Sequence, residues 1–241
     1  MTDPYAAIPA FYDAEFAGAD ADAAFFARHA APGPLLVLGA GTGRVARLLA
    51  TDRDVTGLDL SAPMLAHARA AQRPGDRTRW VEGDIRTFDL GLFGEIVVPN
   101  GTFCFLHTRA DQLACLRACA RALPLGAPLV LDFPSPDFSL LGTPHTPERL
   151  AWEGDVGGRA GKRTREVRRR ALDLRVDLLD RYWLDGVLAA TSLLPLQLAL
   201  PREIEWMCEA AGFWVDAFYG DYGGGPLRDG CDRLIVRACR C

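Results

Sequence analysis

Three glycines at alternate positions follow a short apolar run near residue 35. The stretch reads LLVLGAGTGR, and it places Gly39, Gly41 and Gly43 between an expected buried strand and an amphipathic helix. Glycine lets the backbone adopt positive φ angles and approach a ligand closely, and the first N–H groups of a helix lack partners within it. The stretch therefore predicts a loop that holds a ligand against its main chain.

The spacing of these glycines differs from that of the dinucleotide-binding loop. The pyrophosphate fingerprint is G-x-G-x-x-G, with its third glycine inside the helix, whereas this chain has G-x-G-x-G. A third glycine one residue earlier lengthens the loop, which favours a ligand with a zwitterionic amino-acid end. An NAD(P)-dependent oxidoreductase remains a less favoured alternative.

Acidic residues end the second and third expected strands. Asp59 lies twenty residues after Gly39, where a carboxylate can accept hydrogen bonds from both hydroxyls of a ribose. Asp84 ends the next strand, where it could bond an adenine amino group while Ile85 and Leu60 cover the ring. Either acid alone would be an ordinary loop or cap residue. Their register with the glycine loop predicts a nucleoside site.

Strands and helices alternate over the first 134 residues. Strands are expected at residues 35–39, 54–60, 78–85, 94–100 and 129–134, with helices between most of them. Such alternation predicts a parallel sheet with helices on both faces. The carboxyl ends of its strands would bring the glycine loop and the two acids to one edge.

The pattern changes after residue 134. Three strand-like stretches follow, and the last two flank Asp185-Gly186, a dipeptide typical of hairpin turns. The closing strands, 213–220 and 232–239, are too close in sequence for a helical crossover, so they must pair antiparallel. We expect a core of residues 1–134 and 200–241, in which 1–30 form an N-terminal cap. Residues 135–199 are expected to form an antiparallel β insertion, as an acceptor-side lid or a dimer element.

Six segments, in order along nearly the whole chain, resemble the class I S-adenosylmethionine-dependent methyltransferases. They are VLGAGTGR (37–44), GLDLSAPML (57–65), VEGDI (81–85), EIVVPNGTF (95–103), ALPLGAPLVLDFPSP (122–136) and MCEAAGFWVDAFYGDYGGG (207–225). The resemblance implies an α/β fold with a Rossmann-like, seven-stranded, mostly parallel sheet. Its helices lie on both faces, and an antiparallel hairpin ends the sheet. In overall layout the chain is similar to the sugar-amine and glycine N-methyltransferases, which act on small molecules.

The resemblance also implies a site for S-adenosylmethionine, with S-adenosylhomocysteine as the product. The glycine loop would lie against the methionine moiety and the ribose, Asp59 would bind the ribose, and Asp84 with Ile85 would bind adenine. Met64 would pack near the adenine, and the backbone at Pro99 and Asn100 would face the transferable methyl group. The implied cofactor-binding residues are Gly39, Ala40, Gly41, Gly43, Arg44, Asp59, Leu60, Met64, Asp84, Ile85, Pro99 and Asn100. No metal is expected.

One position departs from the family pattern. Members usually carry an acidic residue two positions before the first glycine, and this chain has Val37 there. An aliphatic side chain cannot accept a hydrogen bond, which would weaken the hold on the cofactor's amino group. A non-catalytic S-adenosylmethionine-binding protein therefore stays open as an alternative.

Methyl transfer from a sulfonium requires an acceptor lone pair held in line with the methyl group. A basic amine can react without a strong base, whereas a hydroxyl needs one, and N-methylation is slightly favoured over O-methylation. His107 follows the fourth strand at the edge where open α/β folds bind ligands. Tyr12 lies in a segment that covers the cofactor in similar small-molecule methyltransferases. His107 and Tyr12 are the candidate catalytic residues, with ordinary packing as the alternative for each.

Composition narrows the possible partners. The formal net charge is −4, so the chain lacks the basic surface that nucleic-acid binding needs. The N-terminus does not resemble a signal peptide, and no apolar run approaches the ~18 residues of a membrane span. The seven cysteines show no C-x-x-C spacing. We expect a cytoplasmic enzyme that acts on a small-molecule acceptor, with a homodimer left open.

Overall fold

A computed structural model describes residues 3–135 and 142–241. Seven strands form the larger sheet, in the order β10-β11-β5-β4-β1-β2-β3. Their bounds are β1 (Leu35–Leu38), β2 (Val55–Asp59), β3 (Thr78–Glu82), β4 (Glu95–Val98), β5 (Pro128–Pro134), β10 (Phe213–Tyr219) and β11 (Arg233–Arg240). Strands β1 to β5 pair in parallel, and β11 pairs antiparallel with both β5 and β10. The predicted fold class is confirmed.

Helices lie on both faces of this sheet. They are α2 (Ala21–Arg28), α3 (Arg44–Leu49), α4 (Ala62–Ala70), α5 (Arg109–Arg121) and α6 (Pro201–Ala210), with a 3-10 turn at Thr102–Phe105. A further helix, α1 (Pro9–Glu15), belongs to the N-terminal segment and packs against α4. One face buries a cluster that includes Leu36, Phe103 and Leu116, and the other buries Phe25 and Trp80. Strands covered on both faces read as continuous apolar runs, which is why the sequence located them.

The second sheet is antiparallel throughout, in the order β6-β7-β8-β9. Its strands are β6 (His145–Asp155), β7 (Ala160–Arg170), β8 (Arg175–Leu184) and β9 (Val187–Gln197). The Asp185-Gly186 turn between β8 and β9 has φ angles of 49° and 80°, as the favoured two-residue hairpin requires. The sequence predicted three strands here, and β6 is the additional one. Most of its residues are exposed, so it lacks a clear apolar pattern.

A third apolar cluster joins the N-terminus to the second sheet. It contains Ile8, Phe11, Val156 and Tyr182, all less than a tenth exposed. In the described parts of the chain, the helices are too short or too polar to span a bilayer.

Candidate active site

Strands β1 and β4 are neighbours at the point where the order of the large sheet reverses. Ligands of open α/β sheets bind at such a point, beyond the carboxyl ends of the strands. The glycine loop (residues 39–43) follows β1, and the β4 loop (residues 99–102) follows β4. The two loops therefore flank the expected position of a ligand.

Each glycine of the glycine loop has a positive φ, with values of 71° at Gly39, 56° at Gly41 and 84° at Gly43. A Cβ atom on Gly39 would lie 2.3 Å from the side chain of Thr102, so the two loops pack directly together. A Cβ atom on Gly43 would lie 2.4 Å from the Trp80 ring. Packing within the protein thus requires glycine at the first and third positions. The expected contacts of these glycines with a cofactor remain predictions.

Asp59 ends β2 and connects the glycine loop to the next turn. Its Oδ2 accepts the Gly41 N–H at 2.7 Å, and its Oδ1 accepts the Ser61 N–H at 2.8 Å. Burial raises the pKa of Asp59, while these backbone donors oppose the rise. A carboxylate has about four lone-pair positions, so Asp59 keeps acceptor capacity for further donors. The neighbouring Leu60 is 70% exposed and offers an uncovered apolar surface.

Asp84 lies in a more exposed, charged environment. Arg86 holds it through a contact of 2.6 Å between Nη2 and Oδ2, and Arg86 also contacts Asp111 at 2.6 Å. These hydrogen bonds from the Arg86 guanidinium lower the pKa of Asp84, so the carboxyl group stays ionised as an acceptor. Beside it, Ile85 is half-buried against the core.

Arg44, a predicted cofactor ligand, is directed toward the N-terminal segment. Its Nη1 contacts the Asp22 carboxylate at 2.9 Å, and its guanidinium lies 5.5 Å from the centre of the Phe16 ring. The structure therefore gives Arg44 a role in fixing that segment. Contact between Arg44 and a cofactor stays a prediction.

The β4 loop makes a tight turn beside Gly39. Asn100 has a φ of 56°, and its backbone N–H donates to Oδ2 of Asp132 at 2.9 Å. Its side-chain amide donates to the Tyr12 hydroxyl at 3.2 Å. Thr102 donates its hydroxyl proton to the Pro99 carbonyl oxygen at 2.9 Å. The hydrogen bonds thus connect the β4 loop to Tyr12, one of the two candidate catalytic residues.

Residues 3–16 form a strap across the carboxyl edge of the large sheet. Besides the hydrogen bond from Asn100 to Tyr12, the core holds it at two points: Ser61 Oγ donates to Asp3 at 2.6 Å, and His67 Nε2 lies 2.9 Å from Asp13 Oδ2. The second sheet holds it at two further points. Arg163 Nε donates to the Glu15 carboxylate at 2.9 Å, and Ser192 Oγ donates to the Pro4 carbonyl oxygen at 2.7 Å. The strap therefore joins the two sheets above the loops.

Tyr12 lies inside this strap. Its ring centre is 4.7 Å from that of Phe16 and 6.4 Å from that of Tyr5. Burial raises the pKa of Tyr12 above its ordinary value near 10, so the phenol is neutral at physiological pH. Since its oxygen accepts from Asn100, Tyr12 has a proton to donate and is a poor general base.

His107 faces different surroundings. Its Nε2 lies 2.8 Å from the carbonyl oxygen of Pro195 in β9, so this nitrogen carries the proton. His107 lines a cavity of about 460 Å³ together with Gln112, Trp206 and Met207. The predicted cofactor residues do not line this cavity. His107 and Tyr12 therefore occupy separate surroundings, which the sequence did not predict.

Sequence reasoning missed a buried polar cluster next to the β4 loop. Asp132 on β5 is 1% exposed, and it binds Arg233 and Tyr222 as well as the Asn100 N–H. The signal in the sequence was a carboxylate inside the apolar strand LVLDFP. An ionised side chain in such a run needs partners from elsewhere in the fold.

Residues 35–126, which run from β1 to just beyond α5, match the family model described as a methyltransferase domain. This segment is a methyltransferase domain. It contains the glycine loop, Asp59, Asp84 and the β4 loop. The expected class of enzyme is therefore confirmed. No curated protein matches the chain significantly.

Solved structures extend the likeness beyond the methyltransferase domain. The CcbJ methyltransferase from Streptomyces caelestis is 24% identical, with a TM-score of 0.79 over 92% of this chain and 90% of that chain. CalS10 from Micromonospora echinaspora, described as an amino pentose methyltransferase with S-adenosylmethionine bound, is 26% identical, with a TM-score of 0.69 over 93% and 89%. The glycopeptide N-methyltransferase MtfA, in complex with S-adenosylmethionine, is 26% identical, with a TM-score of 0.60 over 91% and 95%.

Proposed function

We propose that the protein transfers a methyl group from S-adenosylmethionine to an amine of a small molecule. The observation that carries the proposal is the position of the glycine loop and Asp59 at the reversal point of a methyltransferase domain. The N-methyl preference draws support from two of the similar structures, which are described as an amino pentose methyltransferase and a glycopeptide N-methyltransferase.

The residues of the donor side fit this cofactor in charge and shape. Asp59 has acceptor capacity for ribose hydroxyls, and the exposed Leu60 can lie against an adenine ring. Asp84 is an ionised acceptor suited to the adenine amino group. Val37 is fully buried, so the cofactor's amino group has to find its acceptor elsewhere.

S-adenosylmethionine supplies a methyl group that its sulfonium already activates, so the chain has to hold the acceptor and exclude water. The strap covers the site from one side, and its Tyr12 can donate a hydrogen bond toward the acceptor. A neutral amine needs no strong base, which agrees with a protonated Tyr12. His107 remains a second candidate for acceptor contact, with Nδ1 as its accepting nitrogen.

We further propose that residues 135–199 work as the acceptor-side lid. The contacts of β7 and β9 with the strap favour this role over that of a dimer element. The negative charge of the chain favours a small molecule over nucleic acid as the acceptor.

Isothermal titration with S-adenosylmethionine, S-adenosylhomocysteine and NADH tests the proposal. We expect micromolar binding of the two sulfur nucleosides, and a loss of about 10–100-fold in Asp59→Ala, because a hydrogen bond to a charged group contributes about 1.5–3 kcal/mol. Asp54→Ala is the matched control, since Asp54 directly precedes β2, the strand that Asp59 ends, and its side chain is 75% exposed. NADH binding alone would support the oxidoreductase. Donor binding without turnover on a panel of amines would support the non-catalytic alternative.

A further inference from the structure

The carboxylate of Asp132 is the most enclosed acid beside the two loops. Its Oδ2 accepts the Asn100 N–H and the Tyr222 hydroxyl, each at 2.9 Å. Its Oδ1 accepts Nε of Arg233 at 2.9 Å. Both oxygens are therefore occupied, and the charge of Asp132 is balanced inside the protein.

The β4 loop depends on this residue for its shape. Asn100 adopts a left-handed backbone, which is unfavourable for a residue with a Cβ atom, and the next residue, Gly101, has a φ of 72°. The N–H of Gly101 donates to the Asp132 carbonyl oxygen at 2.8 Å. Side chain and main chain of Asp132 thus bind two successive N–H groups of the turn.

The β4 loop also sets the position of two groups at the site. It places Thr102 in the space that a Cβ atom of Gly39 would occupy, and it directs the Asn100 amide to Tyr12. A purely structural ion pair would need only Arg233 as a partner. Asp132 instead directs its second oxygen toward the turn, and Tyr222 contributes a further donor from the β10–β11 connection.

We propose that Asp132 is a positioning residue for methyl transfer, which fixes the β4 loop against the glycine loop in the shape that binds the methyl donor. Arg233 balances its charge, and Tyr222 holds the second oxygen in the direction of Asn100. The inference rests on the proposed function, since it assigns Asp132 to the same donor site. It also connects the hairpin of β10 and β11 to that site, because Arg233, which binds Asp132, is the first residue of β11.

Two variants and a matched control test this inference. Tyr222→Phe removes one donor to Asp132, whereas Asp132→Asn removes the charge and replaces one acceptor oxygen by an NH2 donor. Tyr219→Phe is the control, because the Tyr219 ring packs on the same Phe25 side chain and its hydroxyl has no hydrogen bond to another described residue. The measurements are isothermal titration with S-adenosylhomocysteine and hydrogen–deuterium exchange of the Asn100 amide, with thermal melting to confirm folding.

We expect the affinity for S-adenosylhomocysteine to fall about 3–10-fold in Tyr222→Phe and about 10–100-fold in Asp132→Asn. The Asn100 amide should exchange faster in both variants, while amides of β1 keep wild-type protection. A structural role alone would lower the melting temperature and speed the exchange of the Asn100 amide, which bonds Asp132 directly, but would leave the affinity unchanged in the folded protein. Should Asp132→Asn fail to fold, Tyr222→Phe still decides the question.

Wild-type affinity in a folded variant would overturn the inference and leave the proposed function intact, whether or not the Asn100 amide exchanges faster. Failure of the wild-type protein to bind S-adenosylhomocysteine would overturn the proposed function, and the inference with it. The titration of the wild-type protein therefore separates the two failures.

Discussion

Asp59 ends β2 and Asp84 lies two residues beyond the end of β3, yet their surroundings shift their pKa values in opposite directions. Burial raises the pKa of Asp59, whereas hydrogen bonds from Arg86 lower that of Asp84. As the pH falls, Asp59 takes up a proton first. A protonated carboxyl group offers fewer acceptor positions to a ribose.

The affinity for S-adenosylhomocysteine should therefore depend on pH through Asp59. We expect full affinity above the raised pKa of Asp59 and a progressive loss as the pH falls through it, beginning above the ordinary value of about 3.9. Isothermal titration across an acidic pH series measures this. Asp59→Asn should bind more weakly at neutral pH and lack this pH dependence. An equal dependence in that variant would assign the titration to another group.

The positions of some candidate site residues were predictable from the sequence, because short spacings define them. Gly39 follows β1 and Asp59 ends β2, so a parallel sheet brings both residues to the same edge. Asp132 was not predictable as a site residue, because its partners Tyr222 and Arg233 are 90 and 101 residues away. No local pattern reports contacts over that separation.

The secondary-structure elements also divide into those that the sequence located and those that it missed. The sequence located β1 to β5, and of these β1, β4 and β5 are buried on both faces and read as continuous apolar runs. It missed β6, an exposed edge strand, and α1, which has seven residues. Helices this short are marginal alone, so their packing against the rest of the fold decides whether they form. For α1 that packing is its buried Phe11 against Tyr182 of the second sheet.

The junction between β1 and α3 can be tested with a pair of glycine variants. Gly39 and Gly126 have similar φ angles, 71° and 79°, but an added Cβ meets Thr102 at 2.3 Å in the first case and nothing within 4 Å in the second. Both Gly→Ala changes should lose about 1–2 kcal/mol of stability through backbone strain. Gly39→Ala should lose about 1–3 kcal/mol more through overpacking. Urea unfolding measures the difference.

Only Gly39→Ala should also weaken the binding of S-adenosylhomocysteine. Gly126 lies in the turn before the amino end of β5, whereas the glycine loop and the β4 loop lie at the carboxyl ends of their strands. Equal losses of stability in the two variants would mean that the two loops do not pack as closely as the structure has them.

At the scale of the whole molecule, the strap joins the two sheets, alongside the direct hydrogen bond between His107 of the core and Pro195 of β9. Its polar contacts reach the core through Ser61 and the second sheet through Arg163 and Ser192. Its apolar contacts bury Ile8 and Phe11 against Tyr182. Since the strap also carries Tyr12 to the β4 loop, the second sheet and the donor site are mechanically connected through it.

Truncation of Ile8 tests this connection. Ile8 is 1% exposed, so Ile8→Ala should remove about 2 kcal/mol or more of burial energy from the strap and let it detach from the second sheet. Leu172→Ala is the control, because Leu172 is fully exposed in the turn between β7 and β8. We expect Ile8→Ala to speed proteolysis within the strap and to lower the affinity for S-adenosylhomocysteine, with no change in the control. Faster proteolysis at wild-type affinity would mean that the strap covers the site without shaping it, and methyl-donor binding would then depend on the two loops alone.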